Sequence, residues 1–179
     1  MVPLDKQEAR RSGRQARKAL SPEERKRADA RIFAKVKEVL QGTSLIGCYI
    51  SLPEEADTYG ILRYAWEQGI RTAVPKVTGS TLVFHEIDTF SDTEPGAFGV
   101  PEPVRERPVR PEDMDLMLVP LAAFDEDDHR VGYGKGYYDS VLPGVRKKIG
   151  IAYAVQKTEA IETDLWDITL DEIITDREP

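Results

Sequence analysis

Residues 116–142 read LMLVPLAAFDEDDHRVGYGKGYYDSVL, and this stretch indicates both a fold class and a ligand site. It opens with an apolar run that predicts a buried strand ending near Phe124. A short polar loop follows, then Gly132, Gly134 and Gly136, and then a sequence typical of a helix start. A strand, a glycine-rich turn and a helix start together expose backbone N–H groups to an anion. The stretch therefore predicts a phosphate site.

Two side chains of this turn suit a phosphate and its counter-ion. Lys135 adds a mobile positive charge, and Asp139 offers a hard oxygen to a divalent cation. The pattern is neither G-x-x-x-x-G-K-[ST] nor G-x-G-x-x-G, so it matches no common nucleotide motif. A tight connection that needs glycine only for its backbone is the alternative explanation.

Length and composition narrow the class of protein. The 179 residues fit one domain over 1–179, with room for a substantial core. No apolar run approaches the roughly 20 residues that cross a bilayer, and neither terminus reads as a secretory signal. Cys48 is the only cysteine, which excludes a disulfide framework and a multi-cysteine zinc site. We therefore expect a cytoplasmic protein that binds no membrane.

The charge is unevenly distributed along the chain, whose net value is −7. Residues 1–37 contain 12 Lys and Arg against 5 Asp and Glu, while the other 142 residues contain 13 against 27. The basic segment could bind nucleic acid, or it could supply cations to a small anionic ligand. A solvated helix face is the plain alternative. The acidic body and the lack of interleaved aromatic residues argue against nucleic acid.

Helical and strand patterns alternate along the chain. Residues 6–19 read as a basic helix, and Ser21-Pro22-Glu23-Glu24 starts a second helix with a capping box. A third helix begins at Asp57 or Thr58 and runs to Gly69. Strands are predicted at 44–50, 72–75, 82–87, 116–124, 148–153 and 172–175, with a long surface loop at 89–111. This alternation predicts an α/β domain with a largely parallel sheet and a ligand beyond the carboxyl ends of its strands.

Motifs spread over nearly the whole chain match those of a known family. They include Lys6, Arg10 and Arg17 in K-x-x-x-R-x-x-x-x-x-x-R, and G-x-G-K-G-Y-Y-D within 130–139. Further matches are Glu55-Ala56-Asp57-Thr58, Val74-Pro75-Lys76, Gly99-Val100-Pro101-Glu102-Pro103, Gly150-Ile151-Ala152-Tyr153 and Leu170-Asp171-Glu172-Ile173-Ile174. With these motifs the chain resembles the 5-formyltetrahydrofolate cyclo-ligase family. Departures at Ala9 and Leu121-Ala122 touch no predicted chemistry.

The resemblance implies a three-layer α/β/α fold related to the CoA-transferase and ribose-phosphate-isomerase type. It also implies ATP- and Mg²⁺-dependent conversion of 5-formyltetrahydrofolate to 5,10-methenyltetrahydrofolate. We expect the protein to be a monomer. The implied ATP contacts are Lys6, Arg10, Arg130, Val131, Gly132, Tyr133, Gly134, Lys135, Gly136, Tyr137 and Tyr138. The implied folate contacts are Ile50, Glu55, Tyr133, Gly134, Lys135, Gly136 and Tyr137, and the implied Mg²⁺ ligands are Asp139 and Asp171.

The residue types suit this chemistry. ATP would phosphorylate the formyl oxygen, and the N10 amine would then close the ring and release phosphate, so that no side chain need act as a nucleophile. Arg130, Lys135 and the N–H groups of Gly134 and Gly136 would stabilise the transferring phosphoryl group. Glu55 could accept hydrogen bonds from pterin N–H groups, or it could merely sit at a helix entry. A non-catalytic nucleotide- or folate-binding protein is the rival reading. We also expect the basic segment to pack weakly, so that the core would fold without residues 1–11.

Overall fold

Helices and strands alternate in residues 2–178, the part of the chain that the computed structural model describes. The helices are α1 (Lys6–Lys18), α2 (Pro22–Leu40), α3 (Tyr59–Glu67) and α4 (Tyr137–Val141). The first six strands are β1 (Leu45–Cys48), β2 (Arg71–Thr78), β3 (Thr81–Ile87), β4 (Thr93–Pro95), β5 (Pro101–Pro103) and β6 (Pro108–Val109). The remaining strands are β7 (Leu116–Val119), β8 (Ala123–Phe124), β9 (Arg130–Val131), β10 (Lys148–Ile151) and β11 (Glu172–Ile174).

A seven-stranded sheet in the order β11-β10-β7-β1-β2-β3-β6 forms the centre of the fold. The strands from β11 to β2 in this order run parallel to one another. At the end of the sheet β3 pairs antiparallel with β2, and β6 pairs antiparallel with β3. The prediction of an α/β fold with a largely parallel sheet is therefore confirmed. The relation to the CoA-transferase type stays a prediction.

Both faces of the sheet are covered, and β7 shows this most clearly. Leu116 and Leu118 belong to the hydrophobic cluster that α2 and α3 complete on one face. Met117 and Val119 belong to a second cluster, which α4 and the segment after it complete on the other face. Successive side chains of a strand point to opposite faces, so a strand buried on both sides reads as a continuous apolar run.

Local signals place the helix ends. Ser21 accepts a hydrogen bond from Glu24 N while the Glu24 side chain accepts one from Ser21 N, which is the predicted capping box. At the start of α3 the cap is Asp57, whose carboxylate accepts from the N–H groups of Tyr59 and Gly60. Thr58 makes no cap with its side chain. No helix within residues 2–178 combines the length and apolar character that a bilayer crossing needs.

The predicted strand over 116–124 is wrong in its second half. The sheet strand ends at Val119, because Pro120 has no N–H to offer the ladder. The chain then leaves the sheet, and β8 and β9 pair as a separate antiparallel ribbon. The predicted loop at 89–111 likewise contains a short ribbon of β4 and β5, and β6 at its end joins the sheet edge.

The expectation that the N-terminal part of the basic segment, now seen as α1 and the residues before it, packs weakly is also wrong. Ala9, Gly13 and Arg17 of α1 are buried, and Gly13 lies directly against the backbone of Ala122. The residues before α1 are held too, since Leu4 exchanges backbone hydrogen bonds with Ala160 and Glu162. Removing residues 1–11 would therefore expose part of the core.

Candidate active site

A cavity of about 540 Å³ opens beyond the carboxyl ends of β1, β2 and β7. Tyr49 and Ile50 follow β1 and line it, as do Val77 near the end of β2 and Pro120 just after β7. In open α/β sheets ligands bind at this edge, where the strands end and the chain turns into loops or helices. The cavity therefore lies at the edge where a ligand was predicted.

The glycine-rich stretch from Arg130 to Asp139 forms one wall of the cavity. Gly134 and Gly136 have φ values of +88° and +70°, in the left-handed region that residues with a Cβ rarely adopt. Both glycines are therefore needed for the backbone conformation of the turn, as the alternative explanation proposed. They also form part of the cavity wall, so the backbone role and a ligand-facing position coincide.

The first helix contributes a row of cations to the cavity lining. Lys6, Arg10 and Arg14 line the cavity at successive helical turns. Arg10 Nε donates to the carbonyl oxygen of Gly132 at 2.8 Å, which ties the helix to the glycine-rich stretch. The basic face is thus turned inward to the cavity, and the reading of these residues as a solvated helix face is wrong.

Lys6 already has anionic partners in the structure. Its Nζ lies 2.6 Å from Asp167 Oδ2 and 3.0 Å from Asp164 Oδ2. Burial alone would lower the pKa of Lys6, but the two carboxylates outweigh it and raise the pKa. A phosphate that binds Lys6 must therefore compete with these two aspartates.

Arg130 is the buried cation of the site, with a side chain that is 7 % exposed. Its Nη2 donates to the Pro120 carbonyl oxygen at 2.9 Å, and its Nη1 lies 4.0 Å from Asp139 Oδ1. Its Nε has no hydrogen-bond partner among residues 2–178. Burial lowers the pKa of Arg130, although a guanidinium keeps its proton at neutral pH. A buried cation in a cavity wall favours an anionic ligand.

Glu55 is the buried anion of the site, 8 % exposed on the cavity wall. It accepts hydrogen bonds from Leu52 N at 2.8 Å and from the Tyr133 hydroxyl at 3.0 Å. Burial raises the pKa of Glu55, against the opposing effect of both hydrogen bonds and of Arg17. Asp57 rather than Glu55 caps α3, whereas Glu55 lies in the cavity lining beside Tyr133.

The two predicted metal ligands do not come together. Asp139 lines the cavity with a side chain that is 60 % exposed. Asp171 lies at the opposite edge of the sheet, where it precedes β11 and accepts a hydrogen bond from Lys148 N at the start of β10. Its carboxylate holds together the amino ends of two parallel strands, which contradicts its predicted place beside Asp139. Asp167, four residues earlier, lines the cavity instead.

Some cavity residues carried no prediction. Arg14 continues the spacing of Lys6 and Arg10 by another four residues, and this spacing could have identified it. Phe98 lies on the rim, 64 % exposed and with a left-handed φ of +58°, and its ring centre is 5.8 Å from Lys135 Nζ. Glu102 also lines the cavity and accepts from Val77 N at 2.8 Å. Nothing local in the sequence marks Phe98 or Glu102 as neighbours of the glycine-rich stretch.

No thiol or imidazole belongs to the described cavity wall. Cys48 is fully buried, and burial raises the pKa of its thiol. His129 instead hydrogen-bonds the buried Asp125, and His85 accepts from Arg107 N. The cavity is lined by cations, by carboxylates of which Glu55 is buried, and by aromatic rings, which suits binding and charge stabilisation rather than covalent catalysis.

Comparisons with known proteins show the family of the chain. The model of the 5-formyltetrahydrofolate cyclo-ligase family matches residues 3–176. The chain is 32% identical over 180 residues to the 5-formyltetrahydrofolate cyclo-ligase of Mycoplasma pneumoniae, covering 97% of this chain and 99% of that protein. It is 29% identical over 175 residues to the enzyme of the same name from Escherichia coli, covering 90% and 95% of the two chains.

Solved structures agree in fold as well. The NMR structure of 5,10-methenyltetrahydrofolate synthetase from Aquifex aeolicus superposes with a TM-score of 0.86 at 32% identity, covering 97% of this chain and 90% of that one. The synthetase from Mycoplasma pneumoniae gives a TM-score of 0.79 at 30% identity, covering 96% and 99%. With a family match across residues 3–176 and relatives of the same name over nearly their whole length, the chain belongs to the 5-formyltetrahydrofolate cyclo-ligase family of enzymes.

Proposed function

We propose that this protein converts 5-formyltetrahydrofolate to 5,10-methenyltetrahydrofolate, with ATP and Mg²⁺, and releases ADP and phosphate. The observation that carries the proposal is one cavity that offers two kinds of binding group. It is lined by the cations Arg10, Arg130 and Lys135 and by the buried carboxylate of Glu55. A polyanionic nucleotide matches the cations, and a pterin with several N–H groups matches the carboxylate.

The reaction needs activation because a formyl oxygen leaves poorly as water or hydroxide. In the proposed sequence the formyl oxygen attacks the γ-phosphorus of ATP, and the bond from that phosphorus to the bridging oxygen of ADP breaks. The product of this step is an N-formyl imidate phosphate. The N10 amine then attacks the formyl carbon, phosphate departs with the oxygen, and the ring closes with loss of the N10 proton. Alignment of two substrates and charge stabilisation supply most of the rate in such a reaction.

We assign phosphate binding to α1 and the glycine-rich stretch. Arg10 and Arg130 hold fixed positions through their bonds to the Gly132 and Pro120 carbonyl oxygens. Lys135 is exposed and unconstrained by any ion pair among the described residues, so it can follow the phosphoryl group. We assign ground-state binding to Arg10 and transition-state stabilisation to Arg130 and Lys135.

The carboxylates of the cavity fit a magnesium ion that arrives with the nucleotide. Within residues 2–178 no group of three or more His, Cys, Asp and Glu side chains forms a ready metal centre. Mg²⁺ commonly binds through one or two carboxylates together with substrate phosphates and retained waters. Asp139 and Asp167 both line the cavity and would hold the ion, which would neutralise phosphate charge.

The substrate side centres on Glu55. Two of its lone-pair positions are used by Leu52 N and the Tyr133 hydroxyl, which leaves the others free for pterin N–H groups. Ile50 and the ring of Tyr137 line the same cavity and offer apolar surface to the folate. Charge on Glu55 then gives selectivity for a ligand edge that donates hydrogen bonds.

Absorbance of the methenyl product tests the proposal directly. The protein is mixed with 5-formyltetrahydrofolate, ATP and Mg²⁺, with each component omitted in turn, and ADP is quantified in parallel. We expect product and ADP in equal amounts only in the complete mixture, and loss of product in Glu55→Gln. Folate binding without product above the uncatalysed rate would leave the rival, a non-catalytic binding protein. The inward-facing cations of α1 give no support to nucleic-acid binding.

A further inference from the structure

Arg17 is a charged residue behind the cavity wall that the proposed reaction does not use. It lies in the last turn of α1, is 1 % exposed and does not line the cavity. Its Nη1 donates to the Tyr133 hydroxyl at 2.8 Å, and that hydroxyl donates to Glu55 Oε2 at 3.0 Å. The buried guanidinium of Arg17 is therefore linked to the carboxylate of Glu55 through a single hydroxyl group.

Chemistry fixes the direction of both hydrogen bonds. A guanidinium only donates, so the oxygen of Tyr133 must accept from Arg17 and its single proton must point to Glu55. Burial raises the pKa of Tyr133, and the charge of Glu55 raises it further, so the hydroxyl keeps this proton. The Arg17 guanidinium also lies over the Tyr133 ring, 5.7 Å from its centre, which fixes the ring itself. Tyr133 thus has one orientation rather than a freely rotating hydroxyl.

The charge state of Glu55 depends on the groups that face it. These are Arg17 from α1, Tyr133 and Tyr138 from the glycine-rich stretch and α4, Tyr49 after β1, and Glu54 beside it. Arg14 faces the same Tyr133 ring and Glu54, and Asp29 and Asp57 share a small hollow with Glu55 on its other side. Burial raises the pKa of Glu55, and the charge of Arg17 lowers it. Asp29, Asp57 and Glu54 cannot help to keep Glu55 ionised. The hydrogen bond from Leu52 N does, and so do the Tyr133 hydroxyl that Arg17 orients and the charge of Arg17 itself.

Arg17 is more than a filler of the core. Its Nε and Nη2 make no hydrogen bond among residues 2–178, although Nη2 lies 3.4 Å from Glu54 Oε1. A buried arginine with unsatisfied donors costs stability compared with an apolar side chain of similar volume. A residue kept at such a cost points to a role in the site it serves.

We propose that Arg17 is a positioning residue for the substrate site: through the Tyr133 hydroxyl it holds Glu55 charged and oriented, ready to accept hydrogen bonds from a ligand's N–H groups. The identity of that ligand as a reduced folate rests on the proposed function. Arg17 belongs to the same helix as Lys6 and Arg10. One rigid element therefore carries both the cations proposed to bind the nucleotide and the residue that positions Glu55.

Carbon-13 NMR of glutamate carboxyls tests the proposal without any ligand. The Glu55 signal is identified by its loss in Glu55→Gln, and its titration midpoint is compared between the parent and Arg17→Met. Methionine keeps the apolar stem and removes the charge. We expect the midpoint to rise by about one pH unit, the low end for loss of a nearby opposite charge. Lys18→Met, an exposed charge deletion on the same helix, should leave the midpoint unchanged. An unmoved midpoint in Arg17→Met overturns the proposal.

Binding of 5-formyltetrahydrofolate against pH, without nucleotide, gives the functional readout. In Arg17→Met we expect the low-pH limb of the affinity curve to shift to higher pH by the same amount as the Glu55 midpoint. Affinity at low pH then falls about tenfold for a shift of one pH unit. A merely structural role would lower affinity equally at every pH, and that result overturns the proposal. Tyr133→Phe keeps the ring and removes the relay, so it should move the limb in the same direction even if Arg17→Met does not fold. If the parent binds no folate, the proposed function fails, whereas the carboxyl titration still decides the role of Arg17.

Discussion

Gly13 of α1 lies so close to the carbonyl oxygen of Ala122 that no Cβ fits between them. Ala122 follows β7 by three residues, at the point where the chain has left the sheet. The contact therefore sets the distance between the cationic helix and the carboxyl edge of the sheet. Lys6 and Arg10 depend on it for their place in the cavity wall.

Gly13→Ala should move α1 away from the sheet. Helix propensity alone favours alanine by about 1 kcal/mol, whereas overpacking costs about 1–3 kcal/mol. We expect a net loss of about 1 kcal/mol in the free energy of unfolding and weaker binding of a non-hydrolysable ATP analogue, measured by urea titration and calorimetry. Ser12→Ala, an exposed neighbour on the same helix, is the control and should lose neither. Parental nucleotide affinity in Gly13→Ala would show that α1 need not dock closely.

Lys135→Ala should reduce turnover by a factor on the order of 10²–10³, as expected for the loss of one preorganised charge stabiliser. Folate affinity should change little, because the lysine is assigned to the transferring phosphoryl group. Steady-state kinetics at saturating ATP measure the effect, with the exposed Lys147→Ala as the matched charge deletion. A raised KM for ATP at unchanged kcat would instead assign Lys135 to ground-state binding.

Asp139→Asn should raise the Mg²⁺ concentration needed for half-maximal activity several-fold. The change is nearly isosteric at an exposed position, so the fold should remain intact. Asp167→Asn should raise the requirement as well, since this carboxylate also lines the cavity. Asp171→Asn should leave it at the parental value, because Asp171 lies at the far edge of the sheet. A Mg²⁺ titration of the three variants decides among them, and an altered requirement in Asp171→Asn alone would reverse the assignment.

Asp125 should make the fold sensitive to acid. Its buried carboxylate accepts from the N–H groups of Asp127, His129 and Ile161 and contacts His129 Nδ1. Burial alone would raise the pKa of Asp125, but these hydrogen bonds outweigh it and lower the pKa. A lowered pKa in the folded state means that the stabilisation is present above about pH 4, the ordinary aspartate range, and is lost as pH falls through the folded pKa.

Asp125→Asn removes this dependence on charge. We expect its free energy of unfolding at pH 7 to be lower than that of the parent by about 2 kcal/mol, for the loss of charge-assisted hydrogen bonds. The difference between parent and variant should shrink as the pH falls below about 4. Urea titrations at pH 7 and pH 3 measure it. The same difference at both values would mean that the charge of Asp125 contributes nothing.

The fold follows in large part from signals that act over a few residues. The capping box at Ser21, the apolar run that becomes β7 and the helical spacing of Lys6, Arg10 and Arg14 each need only neighbours within about one helical turn or one strand. The left-handed turns at Gly134 and Gly136 are of the same kind, since only glycine adopts them freely. For this reason the α/β class, the parallel sheet and the edge that carries the site could be read from the sequence.

Contacts between distant segments could not be read in this way. The relay joins Arg17 to Tyr133 over 116 residues and Tyr133 to Glu55 over 78, and no local pattern records either distance. Asp167 and Asp171 are the same residue type four positions apart, yet one lines the cavity and the other holds the amino ends of β10 and β11. The sequence by itself determined the helices, the main strands of the central sheet and their order along the chain, because caps, turns and periodicity are local. Only the tertiary structure decided which charges meet, because that depends on where the chain passes after each strand ends.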